Sequence, residues 1–256
     1  MKILLFGKGG QVGWELQRAL APLGHVIALD FDSAGELSGD FSQPDAIAAT
    51  VRKVAPDLIV NAAAHTAVDK AESEPALARM LNATTPGRIA AEAAALGAHL
   101  IHYSTDYVFD GRGEAPRDET AQTNPLSVYG RTKLEGEQLI AASGATHLIL
   151  RTSWVYAARG GNFAKTMLKL AKDRDRLTVI SDQFGAPTGA ELLADVTAHT
   201  ARALRHNPQL AGLYHCVAAG ETSWHGYAMH VIETARAAGH DITVAADAVL
   251  PIPTSG

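Results

Sequence analysis

The sequence has a single cysteine, Cys216, among its 256 residues. One cysteine excludes both a disulfide framework and a cysteine-based metal site. Because Cys216 lies within the apolar stretch Leu213–Val217, we expect it to be an inert, buried thiol rather than a nucleophile.

The sequence also lacks any apolar run near the roughly 20 residues that a membrane-spanning helix needs. Its first apolar run, Lys2–Phe6, is short and is followed by no cleavage site, so it does not resemble a signal peptide. We therefore expect a cytoplasmic protein without a membrane partner.

No block of lysine or arginine and no basic helix face is present. The formal net charge is −5, which gives no support for binding nucleic acid. The composition is 47% hydrophobic and 19% charged, which is typical of a globular protein. The length allows one domain, or a large domain with a small lobe.

Short apolar runs alternate with longer segments of helical periodicity. The predicted strands are Lys2–Phe6, His25–Leu29, Leu58–Ala62, His99–Tyr103 and His147–Leu150, and the predicted helices between them are Val12–Leu20, Pro44–Val54, Ala76–Leu96 and Pro125–Ser143. Continuous hydrophobic strands separated by helices indicate a parallel sheet covered on both faces. Right-handed crossovers then predict an α/β fold with a Rossmann-like, doubly wound sheet.

The pattern changes after Arg151. Gly160–Gly161 and Gly185–Pro187 break the chain into shorter pieces, as expected for a small substrate-binding lobe. Ala190–Arg205 is again an amphipathic helix, and Leu213–Ala218 is a predicted strand. We expect residues 1–152 to form a dinucleotide-binding domain to which the chain returns at about 190–218, and residues 153–189 and 219–256 to form the C-terminal lobe.

Four glycines follow the first predicted strand within seven residues. Gly7, Gly10 and Gly13 have the spacing of a dinucleotide-binding turn, and a strand precedes them while a helix follows. Gly7 would make the turn, Gly10 would let the backbone approach a pyrophosphate, and Gly13 would let the helix pack on the sheet. No Gly-Lys-Ser/Thr follows, which excludes a nucleoside-triphosphate loop.

The second predicted strand ends at Asp30. A carboxylate there would accept hydrogen bonds from ribose hydroxyls, which suits NAD, whereas Lys8 could offset its repulsion of a 2′-phosphate. The choice between NADH and NADPH stays open. Asp40 and Phe41 are the next candidate contacts, to the adenine amine and the adenine ring, although a plain surface turn explains them equally well.

Tyr129 and Lys133 form a Tyr-x-x-x-Lys pair at the start of a predicted helix. Residues i and i+4 share a helix face, so we expect the Lys133 ammonium to lower the pKa of Tyr129. A phenol tuned in this way can give a proton to a carbonyl oxygen near neutral pH.

Thr105 stands at the carboxyl end of a predicted strand, where ligands bind in doubly wound sheets. Its hydroxyl would hydrogen-bond a substrate oxygen and complete a set with Tyr129 and Lys133. Ser104 is the rival, and because side chains alternate along a strand only one of the two should face the site. Asp106 would tune the proton transfer or cap a turn.

These motifs together resemble the extended short-chain dehydrogenase/reductase superfamily. Within it, LLFGKGGQVGWEL, VNAAAHTAVDKAE, HYSTDYVFDG, RTSWVYA, NFAKTML and DQFGAPTGAELLAD resemble the dTDP-4-dehydrorhamnose reductase family. The resemblance runs from Met1 to about Pro253.

This resemblance implies an NADPH- or NADH-dependent reduction of the C4 ketone of dTDP-4-dehydro-L-rhamnose to dTDP-L-rhamnose. It implies that Tyr129 donates the proton, that Lys133 binds the nicotinamide ribose, and that Thr105, Asp106 and Trp154 meet the dTDP-sugar. The implied cofactor-binding residues are Gly7, Gly10, Gln11, Val12, Gly13, Asp30, Asp40, Phe41, Ala64, His65, Thr66, Tyr103, Tyr129 and Lys133.

Family members continue beyond the segment Leu250–Gly256 through an Arg-Pro-containing stretch that helps to close the substrate site, so we expect the C-terminal lobe to be incomplete here. Some members are homodimers that bind Mg²⁺ through glutamates. Glu15 and Glu191 occupy suitable stretches, but a further ligand would come from that missing stretch, so we assign no metal.

Two other functions are compatible with parts of this pattern. One is a related nucleotide-sugar epimerase or 4,6-dehydratase, but a dehydratase typically has an Asp-Glu pair after the threonine, and here Asp106 is followed by Tyr107. The other is a non-catalytic subunit resembling the regulatory subunit of methionine adenosyltransferase, which the intact set of Thr105, Tyr129 and Lys133 disfavours.

Overall fold

The structure is a computed structural model that describes residues 1–254. The last two residues of the expected C-terminal lobe, 255 and 256, therefore lie outside the described part of the chain. Contacts divide the chain into two compact units: the first comprises Met1–Thr152 and Ala190–Cys216, and the second comprises Ser153–Gly189 and the residues from Val217 onward.

The first unit is built on a six-stranded parallel sheet. Its strands are β1 (Lys2–Phe6), β2 (His25–Leu29), β3 (Leu58–Asn61), β4 (His99–Thr105), β5 (His147–Thr152) and β10 (Gly212–His215). Their order across the sheet is β10-β5-β4-β3-β1-β2, and every pairing is parallel. The predicted Rossmann-like parallel sheet is confirmed.

Helices pack on this sheet because their apolar faces complete its core. The helices of the first unit are α1 (Gln11–Leu20), α2 (Pro44–Val54), α3 (Val68–Ser73), α4 (Pro75–Arg79), α5 (Thr85–Leu96), α6 (Val128–Ala142) and α8 (Ala190–His206). On one sheet face, strand residues such as Leu4 and Ile59 form one buried cluster with helix residues such as Ile47, Ile89 and Ile140. Helices α1 and α8 pack against each other.

The predicted helix Ala76–Leu96 is wrong as one continuous α-helix. A π-helical turn, Met80–Thr84, separates α4 from α5. Pro86 lacks an amide hydrogen and so cannot bond to the carbonyl of Asn82, four residues earlier. The wider turn accommodates this missing bond, and such turns are frequent at functional sites.

The described part of the second unit, up to residue 254, contains two α-helices and three short strand pairs. Its elements are β6 (Val155–Tyr156), α7 (Phe163–Asp173), β7 (Leu177–Ile180), β8 (Phe184–Gly185), β9 (Thr188–Gly189), β11 (Thr222–Ser223), α9 (Trp224–Ala237) and β12 (Val249–Ile252). The pairs are β6 with β9, β7 with β12 and β8 with β11. Met167 and Ala171 of α7 pack with Ala228 and Ile232 of α9 in its core.

Four single 3₁₀ turns complete the described secondary structure, at Ala21–Leu23, Asp106–Val108, Pro208–Leu210 and Ala246–Ala248. Among the described helices, none combines the length and the apolar character required to cross a membrane.

Candidate active site

The glycine turn after β1 is shaped by close backbone approaches. Gly7 has φ +83°, and a Cβ at this position would lie 2.7 Å from the amide nitrogen of Ala63. A Cβ at Gly13 would collide with the carbonyl oxygen of Gly7. A Cβ at Gly10, in contrast, would meet only that oxygen, at an ordinary 3.5 Å. Packing within the protein therefore requires Gly7 and Gly13 but not Gly10, so Gly10 leaves space for a ligand.

No side chain caps the start of α1 from the N-cap position. Its N-cap is Gly10, which provides no side-chain hydrogen bond, and Gln11 and Val12 form the first turn. The first amides of a helix need partners outside the helix, and with the helix dipole they suit an anion. The turn therefore fits the pyrophosphate of a dinucleotide.

Asp30 contacts the glycine turn directly. Its Oδ2 accepts a hydrogen bond from the Gly9 amide at 2.8 Å, and its Oδ1 accepts one from the Phe31 amide at 3.0 Å. A Cβ at Gly9 would lie 2.4 Å from Oδ2 of Asp30, so a side chain at this position would displace the Asp30 carboxylate. Each carboxylate oxygen retains a lone pair with which it can accept from a ribose hydroxyl. Lys8 is half-buried in the same turn.

Asp40 and Phe41 are largely occupied by the protein itself. Asp40 Oδ1 accepts from the amide and hydroxyl of Ser42, at 2.9 and 2.7 Å, and these bonds help to lower the pKa of Asp40. Phe41 is 4% exposed and packs edge-on against Phe6, with 5.3 Å between ring centroids. The Phe41 side chain therefore offers little surface to an adenine ring.

The loop after β3 carries Ala64, His65 and Thr66. His65 is 8% exposed, and its Nδ1 is buried without a hydrogen-bond partner among the described residues. Its backbone is held by Asn82 of the π-helical turn, which accepts from the His65 amide at 2.8 Å and donates to the His65 carbonyl at 3.1 Å. Asn82 also donates to the Thr132 hydroxyl of α6 at 3.2 Å. Asn82 therefore connects this loop to α6. In the sequence, Pro86 is the feature that indicates the π-helical turn on which Asn82 lies.

The Tyr129 phenol lies close enough to the Thr105 hydroxyl for their interaction to lower the pKa of Tyr129. Desolvation raises the pKa of Tyr129 to about 12, the Thr105 hydroxyl opposes this rise, and Asp106 and Tyr107 add to it. The expectation that Lys133 lowers the pKa of Tyr129 is therefore wrong: Lys133 is not among the groups that shift this pKa, and desolvation of the phenol makes the largest contribution.

Asp106 begins the 3₁₀ turn directly after β4. Its Oδ1 accepts a hydrogen bond from the Thr105 hydroxyl at 3.1 Å. Burial raises the pKa of Asp106 to about 6. Asp106 and Tyr129 therefore lie on either side of the Thr105 hydroxyl, which donates to Asp106 and also lowers the pKa of Tyr129.

Lys133 lies one turn after Tyr129 and is 2% exposed. Its Nζ donates to the Tyr103 carbonyl at 2.6 Å and lies 3.2 Å from Nε2 of His102. Burial lowers the pKa of Lys133 to about 8, and the nearby Glu137 carboxylate raises it in part. The Tyr103 ring points elsewhere, with its hydroxyl 2.5 Å from that of Thr197.

Strand alternation alone does not decide whether Ser104 or Thr105 is the hydroxyl that faces the site. Ser104 donates to Glu137 on α6 at 2.5 Å, while Thr105, the last residue of β4, interacts with the Tyr129 phenol on the same helix. Both hydroxyls therefore face α6, because the chain turns out of the strand at Thr105. Ser104 is occupied by Glu137, and Thr105 is the one beside the phenol.

Trp154 belongs to the second unit and has an unusual backbone. Its φ of +48° is in the left-handed region, which is costly for a bulky residue and is found mainly at functional positions. Its indole stacks on that of Trp224, with 3.5 Å between ring centroids and 14° between planes.

The sequence left two further possibilities, a reactive thiol at Cys216 and a metal site. Cys216 is half-buried, and burial raises the pKa of its thiol, which disfavours the reactive thiolate. Within residues 1–254, no group of three or more His, Cys, Asp or Glu side chains could hold a metal ion. Glu15 instead pairs with Arg18 at 3.6 Å.

A parallel sheet with a glycine turn after its first strand, the Thr105 hydroxyl at the end of β4, and Tyr129 and Lys133 on α6 is typical of a Rossmann-fold reductase of the short-chain dehydrogenase type. Comparison with known proteins narrows this class. Residues 1–255 match the family model described as RmlD substrate binding domain, and the chain belongs to this family.

Several similar proteins are named dTDP-4-dehydrorhamnose reductase. A dTDP-4-dehydrorhamnose reductase of Shigella flexneri is 62% identical over 255 residues, which cover 100% of this chain and 84% of the relative. A crystal structure of a dTDP-4-dehydrorhamnose reductase from Clostridium acetobutylicum is 37% identical, with a TM-score of 0.85 over 100% of this chain and 85% of that chain. The Bacillus anthracis enzyme, solved in complex with NADP, is 33% identical, with a TM-score of 0.85 over 99% and 84%.

Proposed function

We propose that this protein reduces the C4 ketone of dTDP-4-dehydro-L-rhamnose to the alcohol of dTDP-L-rhamnose, with NADPH or NADH as the reductant. The names of relatives at up to 62% identity support the substrate, and the NADP complex of the Bacillus anthracis relative supports the cofactor. The observation that carries the chemistry is the Tyr129 phenol beside the Thr105 hydroxyl, with Lys133 one turn further along α6.

The cofactor fits the residues of the first unit. Gly10 leaves its Cβ position free, the first amides of α1 have no side-chain cap, and Nδ1 of His65 is buried without a partner among the described residues. We propose that the glycine turn holds the pyrophosphate, that Asp30 accepts from the adenosine ribose, and that the loop Ala64–Thr66 lines the site.

The reaction adds one hydride and one proton to the carbonyl group. When bound, the reduced nicotinamide supplies the hydride to C4. Tyr129 gives its phenolic proton to the ketone oxygen, and its raised pKa ensures that it carries this proton at neutral pH. Thr105 hydrogen-bonds the same oxygen, and Lys133 stabilises the negative charge left on Tyr129.

Trp154 and Asp106 are proposed to contact the nucleotide sugar. The left-handed backbone at Trp154 and its stacking on Trp224 fix the orientation of the indole, and a fixed aromatic face suits a pyrimidine base or a sugar ring.

The proposal is tested by incubating the protein with dTDP-4-dehydro-L-rhamnose and reduced cofactor while the nicotinamide absorbance is followed. We expect one cofactor to be oxidised per sugar reduced. Tyr129→Phe should abolish turnover and leave cofactor affinity nearly unchanged, whereas Tyr214→Phe, which removes an exposed hydroxyl bonded to the Leu210 carbonyl, should retain full activity. No stoichiometric oxidation by the unmodified protein would overturn the assignment.

A further inference from the structure

His102 has a defined place in the core beside Lys133 but no role in the reaction described above. It is 1% exposed, and each of its ring nitrogens has one partner. Nδ1 lies 2.9 Å from Nδ2 of Asn61, and Nε2 lies 3.2 Å from Nζ of Lys133. The three side chains form a buried chain from the end of β3 to α6.

The direction of hydrogen bonding in this chain is fixed at its β3 end. The Ala63 amide donates to Oδ1 of Asn61 at 3.0 Å. A backbone amide can only donate, so Oδ1 must face Ala63 and the Nδ2 donor group must face His102. Nδ1 of His102 therefore accepts, and in a neutral imidazole the single proton is on Nε2.

His102 is neutral in this environment. Burial and the adjacent Lys133 hold the pKa of His102 well below its usual value. Its Nε2–H consequently points at Nζ of Lys133. An ammonium has three donors and no acceptor, whereas a neutral amine has a lone pair that can accept this hydrogen.

We propose that His102, held in one tautomer by Asn61, directs its Nε2–H at Lys133 and so makes Lys133 release its proton more readily. His102 is thus a positioning residue that acts through Lys133. This inference rests on the proposed roles of Tyr129 and Lys133, because the charge of Lys133 is what stabilises the ionised phenol.

Other groups around Lys133 also favour or oppose its charged form. The ionisable side chains that act on Lys133 are His102 of β4 and Glu137 of α6, and Arg151 of β5 is bonded to Glu137. Glu137 favours the ammonium, but Arg151 and Ser104 already bind its carboxylate. The contact between Lys133 and His102 is therefore the one whose effect on the protonation of Lys133 a single substitution can reverse, because the substitution changes the tautomer of His102.

The tautomer is measured directly in the unmodified protein by long-range proton–nitrogen NMR of the histidine rings, with His102 assigned from the signal lost in His102→Gln. We expect a proton on Nε2 and none on Nδ1. A proton on Nδ1 would overturn the proposal, and this outcome requires no variant to fold with full stability.

The effect on Lys133 is measured by NMR titration of isotope-labelled lysine, with Lys133 assigned from the signal lost in Lys133→Met. Asn61→Asp places a carboxylate opposite Nδ1, which moves the ring proton to Nδ1 and leaves Nε2 free to accept from the ammonium. His102→Gln can turn an amide oxygen to Lys133 without adding charge. We expect both to raise the titration midpoint of Lys133, by about 1 to 3 pH units for the charged variant and by less for His102→Gln.

His99→Gln is the matched control, since His99 lies on the same strand but outside the chain of contacts to Lys133, and it should leave the midpoint unchanged. An unchanged or lower midpoint in His102→Gln would overturn the proposal. The alkaline limb of the pH profile of kcat should shift with the NMR midpoint. If Lys133→Met retains activity while the midpoints shift as expected, the catalytic role of Lys133 fails and the coupling to His102 stands.

Discussion

Arg151 and Glu137 form a two-point ion pair inside the first unit. Nε of Arg151 lies 2.9 Å from Oε1 of Glu137, and Nη2 lies 2.7 Å from Oε2. Their side chains are only 6% and 4% exposed. Glu137 follows Tyr129 by two helical turns, so this pair ties the helix that carries Tyr129 and Lys133 to strand β5.

Breaking this pair should destabilise the protein strongly. Glu137→Gln leaves the Arg151 charge buried without its counterion, and we expect a loss of about 3 to 5 kcal/mol in the free energy of unfolding. Urea denaturation measures it. Glu135→Gln breaks a pair with Arg79, in which the Arg79 side chain is 62% exposed, and should cost less than about 1 kcal/mol. Equal losses in the two variants would contradict the structural role of the pair.

The glycine turn allows folding and cofactor binding to be separated. Gly13→Ala should lower the melting temperature, because its Cβ collides with the Gly7 carbonyl. Gly10→Ala fits within the protein, so it should melt like the unmodified protein and yet bind NADPH at least about tenfold more weakly, since the methyl group occupies the space of the phosphate. Thermal melts and calorimetric titration report the two effects. If Gly10→Ala binds normally, the pyrophosphate lies elsewhere.

Asp106 should make the free energy of unfolding decrease as the pH rises, which is opposite to the usual effect of a carboxyl group. Its pKa of about 6 in the folded protein exceeds the value near 4 of an unfolded chain. The folded state therefore binds the proton more tightly between about pH 4 and 6, and stability from this group is largest below that window and is lost as the pH rises through it.

Asp106→Asn removes this effect while keeping an acceptor for the Thr105 hydroxyl. We expect the variant to be more stable than the unmodified protein at pH 8, by about 1 to 3 kcal/mol, and nearly equal to it at pH 4. Asp110→Asn is the control: hydrogen bonds from the Arg112 amide and Asn124 lower the pKa of Asp110, so its loss should give no gain at pH 8. A constant difference at both pH values for Asp106→Asn would contradict the raised pKa.

Trp154 should act on the nucleotide sugar and not on the cofactor. Trp154→Ala removes the aromatic face, and we expect the KM for the sugar to rise about tenfold or more while the KM for NADPH stays within about twofold. Trp154→Phe keeps a ring and should recover most of the loss. A parallel rise in both KM values would indicate a general structural defect instead.

Several elements could be predicted from the sequence because their signals are local. Strands β1 and β2 have the predicted bounds, since each is a short apolar run next to a glycine or an aspartate turn. The α2 bounds are also as predicted, because Pro44 starts the helix at a position where its missing donor has no effect.

What the sequence could not indicate depends on burial and on distant partners. The sequence pattern indicated no role for Glu137, Arg151 or His102, yet all three are buried, because their partners come from other elements. The spacing of Tyr129 and Lys133 predicted a shared helix face, but the direction of the Tyr129 pKa shift depends on desolvation, which spacing does not report.

The most direct test of the account follows the hydride itself. The protein is mixed with dTDP-4-dehydro-L-rhamnose and a reduced nicotinamide cofactor that carries deuterium at the transferred position, and the sugar product is examined by NMR and mass spectrometry. The account predicts one deuterium on C4 of dTDP-L-rhamnose, and none when Tyr129→Phe replaces the unmodified protein. Sugar product without deuterium, or deuterated product formed equally fast by Tyr129→Phe, would contradict it.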